Sequence, residues 1–340
     1  MYKPRLQGDH YDMGYHYGSL LYKNGVRFDQ LIEFDEERLD FGVKSLNISN
    51  ETYPEINREI EGMAKGLKVD YESFGTFLVT AGAFSFDFGC STFCYRKDSQ
   101  IYFARNHDMF VQLKKTTESV LYRPDGGYYF IGQGDALIGK EDGVNEHGLA
   151  VGMTFVAPKL VKPGMNFLFM VRMVLEKCKT VEESIDLLQS LKTSTSHNVV
   201  LADREGDMAV VEMCPEKIIV RRPTKDADFI IATNHFQDSQ MLKYDNRPDE
   251  DWYYTKTRYA TIYESLINHK AYDLQLGMDI LSGKEGFICQ YKRSMNFDTL
   301  WSICVDLGQL DIYRSVGNPR KSKFKKETRL RWAMDKRDKI

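Results

Sequence analysis

The chain reads as an α+β protein in which stacked sheets are covered by helices, and three observations predict it. The first 89 of its 340 residues look mostly helical. From Cys90 onward the texture changes to short β-rich runs bounded by turns. A helix pair then divides those runs into two strand blocks, a pattern that buries sheet faces under helices. The reading divides the chain into a helical segment, 1–89, and a main domain, 90–340.

In the first segment, Tyr11 to Phe28 is an expected helix, with Gly14 and Gly18 one turn apart where a second helix can approach closely. The simpler reading of those glycines is tolerance of two poor helix formers. Tyr53-Pro54-Glu55 opens a clearer helix with proline in its first turn. Its apolar stripe is Ile56, Ile60, Met63, Ala64 and Leu67, and Gly66 marks its expected stop.

Beyond Cys90, Ile101–Ala104 and Tyr128–Ile131 read as strands, and Asp142 to Gly148 as turns before a strand from Leu149 to Phe155. The helix pair is Phe167–Cys178 and Val181–Leu191, the second capped by Thr180 with Glu183 three residues on. Strands follow at Asn198–Ala202, Met208–Met213, Lys217–Val220 and Phe229–Ala232. A helix is expected near Thr257–Leu266, and closing strands at Leu300–Asp306 and Gln309–Ser315.

A composition of 42% hydrophobic and 28% charged residues is that of a folded protein. The net charge of −3 gives no reason to expect a nucleic-acid partner. The basic stretch Lys321 to Arg337 reads as a solvated helix end. No window has the length and purity of a membrane span, and the polar start lacks the apolar core of a signal peptide. A cytoplasmic protein is expected if Met1 is the true start. Six scattered cysteines without framework spacing read as reduced thiols.

The chemistry centres on Gly89-Cys90-Ser91-Thr92, followed by Arg105-Asn106-His107-Asp108 after a short apolar strand. A cysteine freed at the N-terminus carries both a thiol and an α-amine, and an amine with a pKa near ~8 is a base at working pH. Glycine before the cut leaves its carbonyl accessible to thiol attack. Alone, a Gly-Cys pair reads more simply as a buried turn. If the strands around Cys90 and Tyr102 pair as a hairpin, Arg105 comes within reach to stabilise a thiolate and Asp108 to hold the new amine. The competing reading is a surface ion pair. Asn106 and His107 receive no role. Asn234, in Thr233-Asn234-His235-Phe236 at a strand end, suits an oxyanion donor by type, although the local sequence alone favours a turn asparagine capping its own backbone. His107, His147, His197 and His235 lack metal-ligand spacing, and Gly132-Gln133-Gly134 lacks the context of a dinucleotide loop, so neither metal nor cofactor is expected.

These motifs resemble the isopenicillin N acyltransferase family (acyl-CoA:6-aminopenicillanic acid acyltransferases), grouped with choloylglycine hydrolases and acid ceramidase among N-terminal nucleophile hydrolases. Gly89–Thr92 with Ala104–Asp108 is similar to the nucleophile region, and Gly8–Gly14 and Pro54–Gly66 to the pro-segment. Asn145–Ala150 is similar to a bile-salt hydrolase segment, and Thr233–Phe236 to the oxyanion region. The resemblance implies a four-layer αββα sandwich and a zymogen cut by autoproteolysis between Gly89 and Cys90. It makes Cys90 the nucleophile, Asp108 the residue that binds its amine, and Asn234 the oxyanion donor. Arg258, in Lys256–Tyr259, is similar to the second active-site arginine of the hydrolases. Arg105 stands where bile-salt hydrolases carry arginine and penicillin acyltransferases can carry glutamine, which points away from a penicillin-type substrate. Thr154 falls near a substrate-facing polar position.

The expected activity is therefore a cysteine amidohydrolase or acyltransferase acting on linear non-peptide C–N amide bonds through an acyl-thioester. Its partners are a small-molecule amide or acyl donor, with a coenzyme A thioester as one such donor, and a homo-oligomer stays open. The aromatics Phe84, Phe86, Phe88, Phe103, Phe110, Tyr128, Tyr129 and Phe130 suit an acyl pocket or, more simply, a core. The alternative is an uncut, non-catalytic relative of the same fold that binds a small acylated ligand.

Overall fold

A computed structural model describes residues 1–28, 34–84, 89–135, 137–225, 227–247, 250–269 and 271–337. Phe86 and Phe88 lie outside the described residues. The chain runs through β1 (Arg5–Gly8), α1 (His10–Lys23), α2 (Glu36–Thr52), α3 (Pro54–Leu67), α4 (Tyr71–Val79), β2 (Gly89–Lys97) and β3 (Gln100–Phe110). Next come β4 (Glu118–Pro124), β5 (Phe130–Gly134), β6 (Asp142–Asn145) and β7 (Ala150–Phe155). The central helices α5 (Phe167–Lys177) and α6 (Val181–Ser190) precede β8 (His197–Ala202), β9 (Met208–Cys214), β10 (Lys217–Arg221) and β11 (Phe229–Ala232). The chain closes with α7 (Thr255–Asn268), α8 (Leu274–Leu281), β12 (Phe297–Asp306), β13 (Asp311–Val316), β14 (Lys325–Glu327) and α9 (Arg329–Arg337).

The strands form two sheets, ordered β1-β4-β5-β6-β7-β8-β9-β10 and β11-β2-β3-β12-β13-β14. Three apolar clusters separate four layers. Phe103, Ile303, Leu121, Val144 and Val200 fill the space between the sheets. Helices α1–α6 cover the outer face of the first sheet, and α7 and α8 cover that of the second. The architecture is the expected αββα sandwich. Phe103 and Phe130 are spent in these cores, whereas Phe84 is exposed.

The N-terminal segment is stitched into this frame. Strand β1, which the sequence reading missed, pairs in parallel with β4 and forms an edge of the first sheet. Helices α1 and α3 meet through glycines: a Cβ on Gly14 would lie 2.1 Å from the Glu59 carbonyl, and one on Gly62 2.0 Å from that of Tyr11. The apolar stripe of α3 is buried throughout, at about 2 kcal/mol for each large side chain. Lys68, not Gly66, adopts the left-handed conformation that ends this helix, with φ of 62°.

Two further expectations are corrected. Asp142–Asn145 is a strand rather than a turn, because it is buried between β5 and β7 and its polar side chains find buried partners. The basic tail is only partly solvated: Lys325–Glu327 forms β14, and Glu327 pairs with Arg314 and Arg329 inside the fold. All six cysteines are free and buried. No helix among the described residues is long and apolar enough to cross a membrane.

Candidate active site

The predicted hairpin exists: β2 and β3 pair antiparallel, with Gly89 opposite Asp108, Cys90 opposite His107 and Thr92 opposite Arg105. Strand β11 flanks β2 on the other side, with Ala232 opposite Thr92, so the chain leaving it carries Asn234 alongside Cys90. Side chains alternate between strand faces. Cys90, Arg105 and His107 share the face toward the first sheet, whereas Ser91, Asn106 and Asp108 face the outer helices. Arg105 and Asp108, read from sequence as joint partners of Cys90, therefore act from opposite faces of β3.

On the inner face, Arg105 Nη2 donates to Cys90 Sγ at 3.1 Å. Its other groups donate to Asp142 Oδ2 at 2.5 Å and to the Met153 carbonyl at 3.1 Å. The Trp301 indole N–H donates to the same Asp142 oxygen at 2.8 Å. The guanidinium is fully buried, so these partners fix its position as well as its charge. A surface ion pair is ruled out.

His107 completes this face. Its Nδ1 lies 3.8 Å from Cys90 Sγ and pairs with Glu141 Oε2, while Nε2 faces Asp135 Oδ2 at 3.5 Å. The ring stacks on Trp301 with centroids 3.8 Å apart. Burial opposes the imidazolium, but Glu141, Asp135 and Cys90 outweigh it and hold His107 well above the ordinary histidine value. Burial pushes Glu141 up to about 7 against the pull of the His107 charge. His107, Asp135 and Glu141 bring three potential metal-ligating atoms within 4.8 Å of one another. Glu141 Oε2, however, already contacts the imidazole and lies 3.3 Å from the Arg105 guanidinium. A cation is thus in place where a divalent ion would sit.

On the outer face, Arg258 from α7 donates to the Cys90 carbonyl at 2.5 Å, to Ser91 Oγ at 2.9 Å and to Asn234 Oδ1 at 2.7 Å. It is fully buried, not a helix-surface arginine. Asp108 lies 3.9 Å from Arg258 and accepts hydrogen bonds from Tyr291 at 2.7 Å and Thr299 at 2.6 Å. Burial raises its pKa despite those partners. Asn234 Oδ1 accepts the Cys90 backbone N–H at 2.8 Å, and its Nδ2 donates to the Phe155 carbonyl at 2.9 Å. Thr154 is turned into the fold, donating to the Thr233 carbonyl at 2.6 Å.

Sequence reasoning missed His107, Asp135, Glu141, Asp142, Tyr291, Thr299 and Trp301. One signal was available: Glu141-Asp142 beside a strand has no reason to be buried without a cation, and Arg105 supplies it.

Residues 94–321 match the family model of the acyl-coenzyme A:6-aminopenicillanic acid acyl-transferases. The match begins within β2, after Cys90, and covers Arg105, Asp108, Asn234 and Arg258. No curated protein matches the chain. Among solved structures, penicillin V acylase from Agrobacterium tumefaciens aligns at a TM-score of 0.42 and 14% identity, over 67% of this chain and 83% of that one. A mutant of the conjugated bile acid hydrolase from Clostridium perfringens aligns at 0.47 and 15% identity, over 70% and 96%. A second variant of that hydrolase aligns at 0.49 and 14% identity, over the same shares.

Proposed function

From the premise that this chain belongs to the acyl-coenzyme A:6-aminopenicillanic acid acyl-transferase family, we propose that it is a self-processing cysteine amidohydrolase or acyltransferase. The Gly89–Cys90 bond is cut, Cys90 becomes the N-terminus, and residues 1–89 stay associated through the pairing of β1 with β4 and the buried bond of Glu59 on α3 to Arg172 on α5. The thiol then attacks the carbonyl of a linear amide or acyl donor, and the new α-amine relays the proton. An acyl-thioester forms, the first product leaves, and water or an acceptor amine takes the acyl group.

The observation that carries this reading is the double grip on Cys90. Arg105 holds Sγ from one face, where a thiolate is stabilised by an adjacent cation. Asn234 holds the amide nitrogen that becomes the amine. Arg258 and Asp108 complete the polar surround on the other face. Once the cut frees the strand end, Asn234 with a backbone N–H supplies oxyanion donors. The family's name supports a coenzyme A thioester as one acyl donor.

The test uses N-acyl amides and acyl-CoA thioesters with hydroxylamine as acceptor. Wild type forms the hydroxamate and carries a transient acyl mass on the fragment beginning at Cys90; Cys90→Ala does neither. Turnover that survives Cys90→Ala undiminished removes Cys90 as nucleophile. Comparing free acid with hydroxamate yield separates hydrolysis from transfer.

A further inference from the structure

The basic stretch Lys321 to Arg337 takes no part in the active site, and only some of its cations find acidic partners. Lys326 and Arg331 pair with Asp311, Arg329 with Glu327, and Arg337 with Glu146. Lys323 and Lys325 form no ion pair among the described residues, and both line a cavity of about 670 Å³. The cavity lies where the two sheets end. Lys3 enters it just ahead of β1, at one edge of the first sheet, while Arg314 and Lys325 stand opposite each other on β13 and β14, at one edge of the second. Six of its lining side chains are cationic (Lys3, Arg314, Lys323, Lys325, Lys326 and Arg329), and Glu327 is the one carboxylate among them. The whole chain carries a net charge of −3, so this is a local concentration of positive charge.

Glu327 does not neutralise that concentration. Both of its oxygens accept from Arg329, and one of them also accepts from Arg314. The two guanidiniums are buried and donate to Ser119 as well, so they form a fixed positive floor. Lys3, Lys323 and Lys325 are exposed above it, with ammonium groups that no carboxylate among the described residues engages. Burial and then the Arg314 charge lower the pKa of Lys3; Glu327 pulls the other way, and Arg329 and Lys325 lower it further. Cations crowded in this way are relieved by an added anion.

We propose that this cavity binds a phosphorylated small molecule, held by Lys3, Lys323 and Lys325 over the Arg314–Arg329 floor. Its volume is that of a small-ligand site. The free donors are all ammonium groups, point charges that suit a tetrahedral phosphate, whereas the guanidinium forks that match a planar carboxylate are already taken by Glu327. The site is separate from the thiol. Arg105, Ile303 and Arg314 stand in line across β3, β12 and β13, which sets the backbones of Arg314 and Arg105 about 10 Å apart. Two sources supply the chemistry: a free phosphorylated small molecule, or the phosphate end of a coenzyme A thioester. Binding at this site does not depend on self-processing.

The experiment titrates inorganic pyrophosphate into the full-length protein by calorimetry at near-physiological salt, with citrate as the carboxylate comparison. Wild type is set beside Lys3→Glu, Lys325→Glu and Lys192→Glu, each checked for a cooperative melt. Lys3 and Lys325 are exposed, so their reversal leaves the core intact, and Lys192 is an exposed lysine outside the cavity. Pyrophosphate is expected to bind saturably, and each cavity variant to weaken it by about tenfold or more, the scale of reversing one charge beside a polyanion. Lys192→Glu, which makes the same change in net charge, is expected to bind as wild type does, and citrate to bind wild type at least about tenfold more weakly. Coenzyme A that displaces pyrophosphate supports the site with the acyl donor as its source; pyrophosphate that coenzyme A leaves in place supports it with a free phosphorylated molecule instead. Absence of saturable pyrophosphate binding, equal binding in the folded cavity variants, or citrate bound as tightly as pyrophosphate overturns the inference. None of these results bears on whether Gly89–Cys90 is cut, which intact mass reads separately.

Discussion

The backbone N–H of Cys90 donates to Asn234 Oδ1 over 2.8 Å, joining residues 144 positions apart in sequence. That oxygen also receives the Arg258 guanidinium, so one amide group holds the strand at the expected cut and the cation beside it. In this uncut form the Asn234 Nδ2 is occupied by the Phe155 carbonyl. An oxyanion role requires it to turn toward the reacting carbonyl. Asn234→Ala is accordingly expected to lower kcat by about 10²–10³-fold with little change in KM, the scale of a lost oxyanion donor. Steady-state kinetics on the cut enzyme checks this; a pure KM effect contradicts it.

Arg105 touches the sulfur, two carboxylates and a backbone carbonyl while fully buried. Removing it takes the shared guanidinium from Asp142 and Glu141, leaving the Trp301 N–H on the first and His107 on the second. Arg105→Leu is predicted to cost about 3–5 kcal/mol of stability, the range for breaking a buried ion pair from one side, in addition to slowing acylation. Urea unfolding and single-turnover acyl transfer measure the two effects separately. Wild-type stability would contradict the buried network.

Gly62 meets the Tyr11 carbonyl so closely that no Cβ fits without moving α1 from α3. Gly62→Ala is expected to lower stability by about 3 kcal/mol, at the upper end for overpacking a tight contact. Thermal melts of the uncut chain test this. An unchanged melting temperature would mean that the two helices are not locked by their glycines.

Glu327 supplies a pH-dependent prediction. Burial works against its charge, but the hydrogen bonds and charges of Arg329 and Arg314 hold its pKa down at about 2, below the usual 4.5. A carboxyl depressed in the fold contributes stability that is full above its unfolded pKa and is lost as pH falls through the folded value. Glu327→Gln is thus predicted to cost about 3 kcal/mol at pH 7, with the gap to wild type closing between pH 4.5 and 2. Denaturant titrations at pH 7 and pH 3 check the sign; a gap that widens in acid contradicts it.

The strand blocks, the α5–α6 pair and the Cys90–Arg105 hairpin were legible because each rests on local signals: β-rich runs, a capping box and turn residues. Stacked sheets under helices follow from the same signals, whereas the four-layer order was implied only by the family resemblance. What stayed hidden depends on partners far apart in the chain. Asp142 resembles a turn residue until Arg105 and Trp301 close on it. Strand β1 has no hairpin partner to announce it, since it pairs in parallel with β4. The separation of Arg105 from Asp108 onto opposite faces follows from their odd spacing on β3. His107 shares the parity of Arg105, yet its significance emerges only when Glu141 and Asp135 arrive from the other sheet.

Self-cleavage before Cys90 is read directly from the intact mass of purified wild type beside Cys90→Ala. Cutting at Gly89–Cys90 divides the 39.4 kDa chain into pieces of about 10 and 29 kDa, with Cys90 at the N-terminus of the larger. Those pieces are expected in wild type, and a whole chain in Cys90→Ala. A wild-type chain that remains whole while turning over an amide, or a Cys90→Ala chain cut at the same bond, would contradict it.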